Sequence, residues 1–346
     1  MTLLRDIALN ATKDILEKNL SLKHPDIVWK KIVLIYDTDS ELAKLISDGY
    51  IENLKEYLNV EIILFQEENV SSLKDKLLWL EANSTVILVQ STNFRLEGFR
   101  IRISLQQKNV GGIEHNHLSY IKSSQTKTYL EAISYQSDYF EKVSNYLKNA
   151  FDNGNTLRAV SSNGSILEIS GGFEDMKQNT GNFALDNRYA TYPIWENFTE
   201  AKDFAEVNGE LYVKAFPWED LQVVFAETPF KITVKNSIIS YKKEDIPKEF
   251  LPTLEKIEEA EWEIMMRELG FWLNRAISFE NILSDVNAFE RMAWFHLSLW
   301  KKHGVYRKKM SKEVVQRYHI DIFPDVEKIF VDEKLIFQKE KLFLYE

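Results

Sequence analysis

The sequence predicts two domains: an α/β domain with a parallel sheet over residues 1–153, and an α+β domain over residues 154–346 that carries a metal site. Three observations lead there. Short apolar runs alternate with helical patterns through the first half, which is the signature of βαβ units. The texture changes at the turn signal Asn153-Gly154-Asn155, after which strand-like pieces dominate. Near the C-terminus, His319 and Asp321 stand two apart; on an extended segment they share a face, where an imidazole and a carboxylate can hold one divalent cation. His296 and Glu268 are candidates to complete that shell from neighbouring segments.

Composition narrows the partners. A chain of 346 residues with 45% hydrophobic content can bury a large core, and its length favours two domains. A net charge of −10, with no extended basic block, argues against nucleic acid or an anionic membrane as the main partner. Peptides and small molecules are the expected substrates. There is no cysteine, so disulfides, thiolate nucleophiles and Cys-ligated zinc are excluded, and any metal must be held by His, Asp or Glu. Residues 1–23 mix charge into apolar positions without a continuous apolar run, so no signal peptide is expected. No stretch has the length of a transmembrane helix, and the expected location is cytoplasmic.

Taken in order, Leu4, Ile7, Ala8, Ala11 and Ile15 predict an amphipathic helix over 3–18. The apolar run 31–36 ends at Asp37; a helix follows from Ser40, then a strand over 60–65, a helix over 71–81 and a strand over 85–90. Asp37 and Asp39 are expected to cap the helix and form the turn, and the absence of a glycine fingerprint there argues against a dinucleotide site. Helices are expected over 95–107 and 137–151. His115 and His117 have no carboxylate motif beside them and are expected in a loop. Residues 157–160 and 166–169 flank Asn163-Gly164 and predict a hairpin. Strand-like pieces follow at 211–213, 221–225, 230–234 and 238–239, then a charged helical pattern between Pro247 and Arg267 with a solvated glutamate face. A mixed sheet covered by one helix is the expected second domain.

Four segments carry the chemistry: Pro193-Ile194-Trp195-Glu196, Glu268 to Asn274, Ala293 to His296, and His319 to Asp321. In their order, and over nearly the whole chain, they resemble the thermophilic-type metallo-aminopeptidases. This is the aminopeptidase T or leucyl aminopeptidase family, which also includes the iron-dependent dihydroxypyridine dioxygenases. The first segment is similar to the family's Pro-Gly-Gly-Glu-like ligand motif, the second to Glu-Leu-Gly-x-Gly-x-Asn, the third to Gly-Thr-x-His and the fourth to His-x-Asp. Residues 162–169 resemble the family's opening hairpin, and 207–209 with 229–234 its central strands.

The resemblance implies that Glu196, Glu268, His296, His319 and Asp321 line a site which in the peptidases holds two divalent metals. Zinc, manganese or cobalt is then expected, or Fe(II) in an oxygenase. It also implies that His303 stands where the peptidases place an assisting tyrosine. The sequence departs from the family at glycines: Trp195, Trp272 and Ala276 occupy glycine-type places, and Trp300 follows the His296 segment. Bulky rings narrow the space that glycine leaves open, so Trp195, Trp272 and Trp300 are expected to crowd the mouth of the site.

Three functions compete on this basis. The primary expectation is a hydrolase of peptide or amide bonds, with a metal-activated water and a spare carboxylate, Glu290 or Glu196, moving the proton. It needs Glu196 and Glu268 to converge on the histidines. An Fe(II) dioxygenase would need only His296, His319 and Asp321 as a facial triad. A catalytically inert member would bind a peptide or a protein partner in a biosynthetic pathway. A homodimer is the expected assembly.

Overall fold

The computed structural model describes residues 2–23, 31–66, 69–94, 96, 101–181, 189–300, 319–338 and 341–342. The first half runs α1 (Thr2–Asp14), β1 (Ile32–Tyr36), α2 (Glu41–Leu54), β2 (Val60–Leu64), α3 (Val70–Leu78), β3 (Thr85–Val89), α4 (Ile101–Gln107), β4 (Gly111–His115), α5 (Thr126–Ala132) and α6 (Ser137–Asp152). Then come β5 (Leu157–Ser161), β6 (Ile166–Ile169), β7 (Lys177–Asn179), β8 (Tyr189–Tyr192), β9 (Glu196–Glu200), β10 (Val207–Pro217), β11 (Val223–Lys235) and β12 (Ile238–Ser240). The chain closes with α7 (Leu251–Glu261), β13 (Ile264–Trp272), α8 (Val286–Phe289), β14 (Phe295–Leu299), β15 (Ile320–Pro324), β16 (Val326–Val331), β17 (Lys334–Gln338) and β18 (Lys341–Leu342).

Two compact units result. One takes residues 1–137, 180–194 and 274–288; the other takes 138–179, 195–273 and 289–346. Where texture alone places a single cut at 153/154, each unit draws on three stretches, and nearly all of α6 belongs to the second.

In the first unit five parallel strands stand in the order β2-β1-β3-β4-β8. β1 and β3 are almost wholly apolar because both faces of a parallel sheet are covered. Val33, Ile35, Val86 and Leu88 pack with Leu73, Leu77 and Leu105, while α2 packs on β1 and β3. Ser40 caps α2, its Oγ accepting from the Ala43 N–H at 3.1 Å. That corrects the capping role expected of Asp37. Its buried carboxylate instead accepts from the Ser91 N–H at 2.8 Å and from the Ser91 hydroxyl, tying the end of β1 to the end of β3.

The loop expected at His115 and His117 holds for His117, and His115 is a second correction. His115 ends β4, fully buried, between the hydroxyls of Tyr50 (2.9 Å from Nε2) and Tyr129 (3.3 Å from Nδ1). His117 turns away through a left-handed φ of 56°, its Nδ1 3.3 Å from Asp285 Oδ2. Burial lowers the pKa of His115 to about 3, so the ring is neutral in the fold while an unfolded histidine titrates near 6.5. The neutral ring's stabilising contribution is therefore complete above that value and is lost as pH falls toward the folded pKa. Between about pH 6.5 and about pH 4.5 the wild type is expected to lose about 1.4 kcal/mol per pH unit more than a His115→Gln variant. Denaturant titrations of both proteins across that range check it, and parallel slopes would show that the ring is not held neutral.

The second unit is antiparallel throughout its described pairings, which corrects the mixed sheet expected above. Its strand path is β11-β12-β13-β14-β15-β10-β6-β5-β16-β17-β18, with β9 on β13 and β7 on β9. The hairpin β5–β6 forms around Asn163-Gly164 as the sequence predicts. The charged helix stops at Glu261, capped by Trp262 with φ 71°, so Arg267 lies on β13 and not on a helix. All nine residues of β13 are buried. Phe216 and Phe230 pack with Phe250 from the start of α7, and α6 buries Phe140, Val143, Leu147 and Phe151. No described helix is long and apolar enough to cross a membrane.

Candidate metal centre

β9, β13, β14 and β15 are hydrogen-bonded neighbours in that order. Each contributes a donor: Glu196 from β9, Glu268 from β13, His296 from β14 and Asp321 from β15. Register explains the convergence. Glu268 lies opposite Ser298, and Ser298 opposite Asp321; one row further, Gly270 lies opposite His296; one row beyond that, Trp272 lies opposite Glu196. Because side chains alternate along a strand, Glu268, Gly270 and Trp272 present one face. A β-bulge between Met266 and Glu268 precedes that run. At the bulge Arg267 pairs with Glu200, Nε to Oε2 at 2.7 Å, both side chains fully buried.

Candidate ligand atoms of Glu196, Glu268 and His296 lie within 4.8 Å of one another. His296 Nε2 is 3.5 Å from Glu196 Oε1 and 3.6 Å from Glu268 Oε1, too long for hydrogen bonds. The imidazole is fully buried and, among the described residues, neither ring nitrogen has a hydrogen-bond partner, an uncommon and costly condition. His319 and Asp321 form an adjoining pair, Nε2 to Oδ1 at 3.1 Å. Ser298 links the two sets, its hydroxyl 2.5 Å from Asp321 Oδ1 and 3.3 Å from Glu268 Oε1. All five ligand positions named by the sequence are thus gathered in one unit, three as a tight group and two beside it. Glu290 pairs with Arg291 at 2.7 Å. His303 lies outside the described residues.

The charges show strain of a consistent kind. Burial, together with the nearby Glu268 carboxylate, pushes the pKa of Glu196 up to about 8. Burial also raises Glu290, to about 7, against the lowering effect of Arg291. Burial works against the charged form of His296, but Asp321, Glu196 and Glu268 outweigh it and raise the pKa. For Asp321 burial is again opposed, here by His319 and His296, which hold the carboxyl well below the usual range. Carboxylates crowded without enough positive charge are an environment that a divalent cation relieves.

Two of the three tryptophans expected at the site flank its histidines. The Trp272 ring centre is 5.6 Å from that of His296, and the Arg291 guanidinium sits 3.8 Å over the Trp272 ring. Trp300 stacks on His319 at 4.1 Å. Trp195 instead stacks on Phe140 at 4.0 Å, with its backbone at φ 91°. That is the left-handed region glycine favours, at the very place where the resembled motif has a glycine.

Sequence reasoning missed Ser298 and Gly270. A Cβ on Gly270 would come within 2.3 Å of His296 Cε1 and 2.6 Å of Nε2, so the glycine makes the room that the imidazole fills. Gly270→Ala is expected to cost about 1–3 kcal/mol through overpacking and to shift the His296 imidazole resonances. Unaltered denaturation and histidine spectra would refute the close approach. The ligand types, the orphaned imidazole and the cradle at Gly270 together fit a divalent metal.

The sequence matches no family model and no curated protein. Among solved structures, 2,5-dihydroxypyridine dioxygenase from Pseudomonas putida KT2440 is similar over 97% of this chain and 97% of its own, with a TM-score of 0.62 and 11% identity. Wild-type AmpT from Thermus thermophilus is similar over 98% of this chain and 99% of its own, with a TM-score of 0.63 and 12% identity. The likeness extends over nearly the whole of each chain, and this chain shares its fold with AmpT and 2,5-dihydroxypyridine dioxygenase.

Proposed function

We propose that this chain is a metal-dependent hydrolase of peptide or amide bonds, with Glu196, Glu268, His296, His319 and Asp321 as metal ligands. The observation that carries the proposal is the convergence of Glu196 and Glu268 on a buried His296 whose ring nitrogens have no hydrogen-bond partner among the described residues. A mononuclear oxygen-activating triad would not require those two glutamates. A zinc, manganese or cobalt ion held there supplies Lewis acidity, polarising a carbonyl and activating water. Glu290, with a carboxyl at about 7, is matched to take a proton from the attacking water and return it to the leaving amine at neutral pH. Trp272 and Trp300 wall the ligand set and limit it to substrates that tolerate flat apolar contacts. For His303 the proposed part is donation of a hydrogen bond to the developing oxyanion. The proposal includes a cytoplasmic site of action and a homodimeric assembly.

The oxygenase reading draws support from those same aromatic walls, which suit a flat ring beside His296, His319 and Asp321. One experiment separates the two. Metal-loaded protein is assayed on aminoacyl amides and short peptides with zinc, manganese or cobalt, in parallel with oxygen uptake under ferrous iron. Peptide turnover supports the hydrolase, and oxygen consumption without it transfers the assignment to the oxygenase. Silence in both assays favours an inert member that binds a peptide or protein partner.

A further inference from the structure

We infer that Ser298 is a positioning residue that ties the two halves of the ligand set together and turns Asp321 toward the cation. The inference rests on the metal-site reading above. Ser298 sits on the central strand of the three, directly opposite Glu268 on one side and Asp321 on the other, with no exposed surface. Its hydroxyl has one proton and two lone pairs. The shorter contact, 2.5 Å to Asp321 Oδ1, takes the proton in a charge-assisted bond. His319 Nε2 approaches the same oxygen, Oδ1, at 3.1 Å. Two donors on Oδ1 fix the carboxylate plane and leave Oδ2 as the oxygen to offer a cation; His319, donating through Nε2, has Nδ1 left as its ligand nitrogen.

The same hydroxyl makes a second, longer donor contact to Glu268 Oε1 at 3.3 Å. With one proton to share, the hydroxyl bonds Asp321 strongly and Glu268 weakly, and so keeps the two carboxylates on either side of it. Glu268 Oε1 is also 3.6 Å from His296 Nε2, in the group that includes Glu196. One hydroxyl therefore spans two carboxylates: it anchors Asp321 and keeps Glu268 beside it. A methyl group in its place would free Asp321 to rotate and would separate the His319–Asp321 pair from the group around His296. Outer partners of this kind typically contribute 10- to 100-fold to metal affinity.

The test uses the full chain, stripped with chelator and titrated with Zn²⁺ or Mn²⁺ alone by calorimetry. Ser298→Ala is expected to weaken affinity by about 10- to 100-fold, with the chelated protein keeping its fold by circular dichroism. Ser298→Thr, which restores the hydroxyl, is expected to recover most of it; a purely spatial role would not discriminate in this way. If Ser298→Ala does not fold, Ser298→Thr against Ser298→Val makes the same comparison at equal shape. Wild-type affinity in the variants lacking the hydroxyl, or equal weakening in Thr and Val, overturns the role of Ser298 and leaves the metal site standing. A wild type that takes up no ion overturns both.

Discussion

Glu268→Gln is expected to lower metal affinity by at least about 100-fold, since removing a ligand should exceed the upper end of what outer partners contribute. The change is nearly isosteric, so a folded protein is expected. It removes a negative charge from the centre of the donor set, beside His296 Nε2 and the Ser298 hydroxyl. If the enzyme is a hydrolase using all five ligands, peptide turnover should fall in parallel and should not be restored by saturating metal. If it is an oxygenase built on His296, His319 and Asp321, oxygen uptake should be indifferent to the substitution. Metal content, peptide turnover and oxygen uptake on the same preparation distinguish the cases. Full peptide turnover in the variant would remove Glu268 from the site.

Arg267→Met is expected to cost about 3–5 kcal/mol, because it leaves the Glu200 carboxylate charged, fully buried and without its guanidinium. The guanidinium also lies 4.9 Å from the centre of the Phe204 ring, a packing contribution that methionine partly retains. A double change, Arg267→Met with Glu200→Met, should recover much of the loss, since replacing both members of a buried pair with apolar groups is often close to neutral. Six of the eight tryptophans lie in the second unit, so denaturant unfolding followed by tryptophan fluorescence reports mainly on the unit that contains the pair. A loss in the single variant no larger than a surface substitution, about 0.5 kcal/mol or less, would show that water or another group already compensates Glu200.

The parallel unit was legible where apolar runs are long for their neighbours, as at β1 and β3, which are buried on both faces. β4 was not, because Gly111 and Gly112 weaken a strand pattern. Its reason is remote in sequence: a Cβ on Gly112 would meet the Tyr189 ring of β8 at 2.1 Å. α7 was overextended because the alternation of glutamates with apolar residues runs on to Glu263, while the stop is a single left-handed residue, Trp262. At the site, the pairing of His319 with Asp321 followed from spacing, and His296 and Glu268 were reachable as candidates. Glu196 came from resemblance alone. Ser298 and Gly270 gain their meaning only from which residue lies across the ladder, and cross-strand register is not written in local sequence.

Four donors hung on four adjacent strands also make the sheet a ruler. Neighbouring strands keep a spacing of about 4.8 Å set by their backbone hydrogen bonds, so the donors cannot spread apart without breaking ladder. A loop-borne site can breathe to admit a large ion with many oxygens, as calcium requires, with 6–8 ligands at roughly 2.3–2.6 Å. The strand grid resists that expansion and supplies imidazole as well as carboxylate. On the proposed metal-site reading, size and ligand type would select together for small transition ions, with backbone geometry making the choice before any ion arrives.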